Sequence, residues 1–156
     1  MTDLELAQRA EEMKGRLYRT ALLYLGGEAA ALDAVDEAVY RAFLSHRKLR
    51  RPEHFNTWIT RILINVCNDE LRRRKREPAM AELPETAAEQ FDALPLRDAV
   101  ERLPRELRAV VALRYFSGYT LAETAEALDI PAGTVSSRQR KALALLRLEL
   151  DDGKED

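Results

Sequence analysis

Ser136, Ser137, Arg140 and Lys141 fall within six consecutive residues and combine short hydroxyl donors with cations, and Arg138 stands at the edge of the same arc. Such a set is suited to hydrogen bonds with phosphate oxygens and with the exposed edges of bases. To act together these side chains must share the outer face of a helix. Val135, Gln139, Ala142 and Leu146 supply the opposite face, because about 100° per residue puts them on one side. Upstream, Thr120 and Glu123 have the spacing of a capping box, and Leu121, Ala125 and Leu128 fall on one face of the helix it starts. Asp129-Ile130-Pro131 ends that helix, since proline removes a donor and restricts its predecessor. The stretch reads as a helix-turn-helix whose second helix begins near Pro131–Thr134 and turns its cations toward a DNA major groove. A helical hairpin with a solvated basic face fits the same residues.

A second constellation lies upstream. Over about Thr57–Arg76, Ile59, Ile62, Leu63, Val66 and Cys67 occupy one apolar wedge of a helix. Arg61, Asn65, Asn68 and Arg72 occupy another, with Trp58 at its border. Arginine engages phosphate and asparagine reads base edges, so this face suits nucleic acid; an ordinary solvated face is the other reading. Trp58 fits packing or base stacking. Arg72–Arg76 are five consecutive cations, which either complement the helix macrodipole or clamp phosphate.

The formal net charge of −2 conceals a strong segregation. Residues 1–40 carry eight acids against four bases, residues 41–76 eleven bases against three acids, and residues 77–95 five acids and no base. Local sign decides which surfaces approach a polyanion. Few aromatics and only six glycines favour an all-α chain, and the 46% apolar content supports a core. The single cysteine excludes an internal disulfide framework and fits a reducing cytosol. Met1–Met13 is acidic and lacks the apolar run of a signal peptide, and no stretch approaches a membrane span.

The positioning elements follow. The sequence predicts a helix over about Leu4–Leu25 that stops at Gly26-Gly27, and a second over about Glu28–Lys48 with Leu32, Val35, Val39 and Phe43 near one face. A loop over Arg50–Asn56 then leads to the Thr57–Arg76 helix. Residues 77–95, with Pro78, Pro84 and Pro95, read as an acidic tether, and four shorter helices are broken near Pro104, Ser117-Gly118 and Pro131. The expected fold is all-α: a helical domain over 1–76, the linker over 77–95, a helix-turn-helix domain over 96–150 and an acidic tail over 151–156.

The segments Leu17–Phe43, Phe55–Arg76 and Leu103–Arg147 together resemble the bacterial extracytoplasmic-function (ECF) sigma factors of the sigma-70 family. The specific marks are Trp58, Arg61, Ile62, Asn65 and Asp69 at their spacing, the Arg cluster and the tether. The resemblance implies an RNA polymerase sigma factor that directs core polymerase to promoters and assists melting. Its partners would be core polymerase, through the β′ clamp helices and the β flap, promoter DNA, and an anti-sigma factor, which in many relatives is membrane-anchored. On this resemblance Asp33, Val35, Asp36 and Glu37 bind core polymerase. Arg50, Arg51, Asn56, Thr57, Arg61, Asn65, Arg72 and Arg73 serve the −10 element, where a flipped base is captured. Ser136, Ser137, Arg138, Arg140 and Lys141 serve the −35 element. Asp36 stands where many relatives carry glutamine, Ser136 where they carry Lys or Arg, and Gln139 where they carry an apolar residue.

No cofactor or metal is expected: His46 and His54 lack the spacing of a metal site, and Cys67 lies in the apolar wedge. Asp33, Asp36 and Glu37 have no histidine, nucleophile or glycine-rich phosphate loop beside them, so no enzymatic activity is expected. An operator-binding regulator independent of polymerase, and a protein-sequestering adaptor, are the alternative functions.

Overall fold

The computed structural model describes residues 1–76 and 94–154, with side chains over 1–76 and 96–147. Among the described residues seven α-helices follow in order: α1 (Asp3–Leu25), α2 (Glu28–Ser45), α3 (Phe55–Arg76), α4 (Leu94–Arg102), α5 (Arg105–Val111), α6 (Leu121–Leu128) and α7 (Ala132–Lys154). Short 3-10 turns at His46–Lys48 and Pro52–His54 connect α2 to α3, and one π-helical turn, Ala112–Phe116, extends α5. No strand occurs among the described residues. The acidic tether read over 77–95 lies outside the described residues as far as 93, and α4 begins at Leu94.

Local chemistry explains the ends. Thr2 and Glu5 form a capping box on α1, and Gly26 closes that helix at φ 84°, where a side chain would be strained. Three arginines then satisfy the carbonyls that α1 leaves open. Arg108 donates to Tyr24 O at 2.8 Å, Arg74 to Leu25 O at 2.9 Å, and Arg97 to Gly26 O. They come from α5, α3 and α4, so one helix terminus joins the two halves of the chain, and the cations also complement the negative end of the helix dipole.

Helices α1, α2 and α3 share a core around Leu6, Leu17, Phe55, Ile59 and Leu63. Against expectation, α2 buries Ala31, Ala34, Val35, Ala38 and Ala42, and leaves Leu32, Tyr40, Phe43 and Leu44 outside. Alanines at three- and four-residue spacing let α2 lie close to its neighbours, which larger side chains on that face would prevent. A second core joins Leu23 of α1 to Val100, Leu103, Leu107, Val111, Ala142 and Leu146. The halves therefore pack on each other.

Two further residues, Ser117 and Tyr119, seal the junction. Ser117 bonds to Thr20 through its hydroxyl and accepts from Arg16 through its carbonyl at 2.7 Å, while the Arg16 guanidinium lies 4.3 Å from the Tyr119 ring centroid. The buried Tyr119 hydroxyl meets Thr60 Oγ1 at 2.8 Å, and burial raises its pKa. Tyr119→Phe is expected to lower stability by about 0.5–1.5 kcal/mol, the net worth of one buried hydrogen bond, because Thr60 keeps Asn56 O as an acceptor. Urea unfolding of both proteins measures this.

Candidate nucleic-acid interface

The helix-turn-helix forms as its spacing requires. Thr120 and Glu123 make the reciprocal capping bonds at 3.1 and 2.9 Å, and Asp129 ends α6 in the left-handed region at φ 56°. The buried side of α6 centres on Thr124 and Ala127, and Leu121, Ala125 and Leu128 lie half-buried beside them. On α7, Val135, Ala142 and Leu146 face inward, whereas Ser137, Arg140 and Lys141 are exposed and Ser136 is half-buried. Arg138 also lies half-buried, 3.8 Å from Glu106. The inward amide of Gln139 has a partner: its Oε1 accepts from Arg114 Nε at 2.9 Å, and Arg114 also donates to Tyr119 O at 2.8 Å. The π-helical turn carries Arg114, so this backbone irregularity aims a guanidinium at Gln139 on the inner side of α7.

On α3 the apolar wedge is buried through Ile59, Leu63, Val66 and Cys67, with Ile64 added and Ile62 only half-buried. Burial pushes the Cys67 thiol up to about 12, which leaves it protonated and inert. Trp58 packs on the core, 5.8 Å from the Phe55 ring centroid, which favours packing over base stacking. His46 is buried beside Asp3 at 2.7 Å. Among the described residues no cluster of three or more His, Cys, Asp or Glu is placed to hold a metal ion.

The remaining −10 candidates divide into three groups. Arg50, Arg51, Asn56 and Asn65 are exposed. Arg72 and Arg73 are exposed but engaged within α3, at 2.8 Å from Asp69 and 2.7 Å from Glu70. Hydrogen bonds from Arg73 hold the Glu70 carboxyl below its usual range. Exposed pairs of this kind are worth about 0–1 kcal/mol, so a phosphate can displace the carboxylate. Arg61 and Thr57 are committed elsewhere. Thr57 is buried and donates to His54 O at 3.1 Å, bracing the loop instead of facing solvent. Arg61 donates to Glu126 O and, at 3.3 Å, to Ala127 O, with Asp129 3.9 Å away. Those carbonyls lie in the last turn of α6, where the helix dipole attracts a cation. His54 pairs with the Glu126 carboxylate in the same contact. The first helix of the helix-turn-helix thus sits on the Arg61 face of α3.

The α2 surface requires one correction. Asp33, Asp36 and Glu37 are exposed, but Val35 is 3% exposed and belongs to the core, since it shares the alanine face. The apolar residues that do face outward beside the acids are Leu32, Tyr40 and Leu44. The sequence grouped Leu32, Val35, Val39 and Phe43 near one face and did not single out Tyr40 or Leu44, whereas the alanine face is the one that packs.

Residues 10–77 match Sigma-70 region 2 and residues 99–148 match Sigma-70, region 4. The chain is 31% identical over 142 residues to the RNA polymerase sigma factor SigV of Bacillus subtilis, covering 88% of this chain and 86% of that protein. The chain belongs to the sigma-70 family of RNA polymerase sigma factors. Similarity to the ECF RNA polymerase sigma factor SigM of Mycobacterium tuberculosis, 33% over 136 residues with 84% and 69% covered, places this sigma factor in the extracytoplasmic-function group. Its fold is shared with the sigma factor RpoE of Bartonella quintana, solved in complex with the anti-sigma factor NepR. The two superpose with a TM-score of 0.77 at 20% identity, over 94% of this chain and 97% of that one. It is shared equally with CnrH, solved with the cytosolic domain of CnrY, at a TM-score of 0.77 and 21% identity over 97% and 90%. The operator-binding alternative is not favoured, since both sigma regions are present in order. Among the described residues no helix is long and apolar enough to cross a membrane.

Proposed function

We propose that this sigma factor reads promoters with two surfaces that it holds together when free, and that joining core polymerase separates them. The observation that carries this reading is the contact of Arg61 with the carbonyl end of α6. A side chain placed to meet the −10 element is occupied by the domain placed to meet the −35 element. In this reading residues 1–76 serve core polymerase and the −10 element, through Arg50, Arg51, Asn56, Arg61, Asn65, Arg72 and Arg73. The domain from about 96 to 150 serves the −35 element through Ser136, Ser137, Arg138, Arg140 and Lys141, and residues 77–95 link the two.

On α2, the acids Asp33, Asp36 and Glu37 beside exposed Leu32, Tyr40 and Leu44 form the surface for the β′ clamp helices. Apolar anchors ringed by charge are the usual composition of a protein interface. An anti-sigma factor is the expected inhibitor, in keeping with the two complexes that share this fold. The chain acts in the cytoplasm and by binding, not by catalysis.

Promoter melting tests the −10 assignment. Asn56→Ala and Asn65→Ala, assembled with core polymerase, should form closed complexes normally and open them poorly. Extruding a base costs a few kcal/mol that these amides help to offset by holding it. Permanganate reactivity of unpaired thymines reports opening directly. Wild-type reactivity in both variants would remove the two residues from the site.

A further inference from the structure

Where α3 meets the second domain, the chain forms a cleft of about 180 Å3 that is partly open to solvent. Arg61 and Asn65 from α3, Arg105 and Glu106 from α5, and Arg138 from α7 line it, together with Asn68. Three arginines and one carboxylate thus line it, and of the arginines Arg61 also donates to the Glu126 and Ala127 carbonyls, with Asp129 3.9 Å away. Glu106 lies 3.8 Å from Arg138, longer than a charge-assisted hydrogen bond, so it does not saturate even that partner. Asn68 Oδ1 accepts from the Tyr24 hydroxyl at 2.5 Å, which leaves its amide N–H groups as what it offers a guest. Burial raises the Tyr24 pKa, so that hydroxyl stays a donor and the Asn68 orientation is held. The polar lining is rich in donors and positive.

We propose that this cleft binds a small phosphate anion, a free pyrophosphate or the terminal diphosphate of a nucleotide, and that the bound anion fastens the two DNA-reading domains together. Size and charge both select this class. The space has room for several waters. Its volume is below the roughly 300–1,000 Å3 of pockets that take drug-sized ligands. Guanidinium groups match phosphate oxygens bidentately, and Arg105 and Arg138, from separate helices, line the space beside Arg61, which keeps one terminal nitrogen not bonded to the α6 carbonyls. Arg61 and Arg138 belong to opposite DNA surfaces in the proposed function. An anion between them imitates the phosphates both would meet on a promoter, while holding the arrangement in which α6 covers Arg61 and Arg138 lies half-buried beside Glu106. Because only the closed chain forms the cleft, the anion stabilises that state by mass action.

Calorimetric titration of the full chain with inorganic pyrophosphate, in magnesium-free buffer, tests this. One saturable site is expected, with affinity lowered about tenfold in Arg105→Gln and again in Arg138→Gln, the weight of a charge-assisted hydrogen bond. Arg147→Gln, at an exposed position that does not line the cleft, should bind as the parent does. A parallel titration with ADP identifies the source: binding by both ligands admits a nucleotide, and binding by pyrophosphate alone indicates the free anion. Absence of a saturable pyrophosphate site, or equal weakening by Arg147→Gln, would overturn the proposal. Circular dichroism of each variant confirms that folding is unchanged, and the titration does not depend on whether the chain supports transcription.

Discussion

Free, the full chain is expected to bind a −35/−10 promoter duplex at least about a hundredfold more weakly than its complex with core polymerase does at the same salt, a modest part of the usual gap between specific and non-specific binding. The cause is steric before it is electrostatic. Arg61 is held by the Glu126 and Ala127 carbonyls and His54 by Glu126, and the Tyr119 hydroxyl ahead of α6 meets Thr60, so α6 and the turn before it cover part of the face proposed to meet the −10 element. Opening must also uncover apolar surface shared by the halves, including Leu23 in the second core and Ala109 in the first. Core polymerase contributes its own contacts to offset that cost. Charge acts in the same direction, since the acids of residues 1–40 repel phosphate. Gel-shift titration of the free chain and of the complex at matched ionic strength measures the ratio. Tight, sequence-specific binding by the free chain would show that the covered face is not the limiting one.

The second large effect belongs to α7. Arg140→Ala holoenzyme is expected to lose about 1–3 kcal/mol on the preferred −35 sequence and to become indifferent to one base pair, because guanidinium bonds guanine bidentately. Lys141→Ala should weaken all promoters alike and flatten the salt dependence by about one phosphate contact. Arg140 and Lys141 are both exposed on the helix surface opposite buried Val135 and Ala142, so neither substitution disturbs the core. Arg138 is expected to behave as a phosphate contact with an added effect, since it must first leave Glu106. Binding of −35 point variants at two salt concentrations separates the roles. Uniform weakening by Arg140→Ala, with base preference intact, would move sequence reading to Ser136 and Ser137.

Much of this protein was legible in its residues because the decisive signals are local. The Thr120 and Glu123 capping box, the Gly26 stop and the inward series Val135, Ala142, Leu146 each operate within one or two helical turns. The outward placement of Arg140 and Lys141 follows from the same periodicity. Three features were not legible, each for a nonlocal reason. Periodicity alone did not settle which face of α2 is buried: alanines allow a close helix approach, and only the neighbours select that over larger apolar groups, which sent Val35 inside and Leu32 outside. The inward Gln139 looked like a polar group in an apolar seat until Arg114, 25 positions away, came to meet it. The availability of Arg61 depends on carbonyls 65 and 66 residues further on. Sequence by itself thus determined the helices, their caps and the residue types each surface presents, because backbone hydrogen bonding and a 3.6-residue repeat are short-range. Tertiary structure alone decided which of those surfaces meets solvent, because burial depends on what the rest of the chain brings against it.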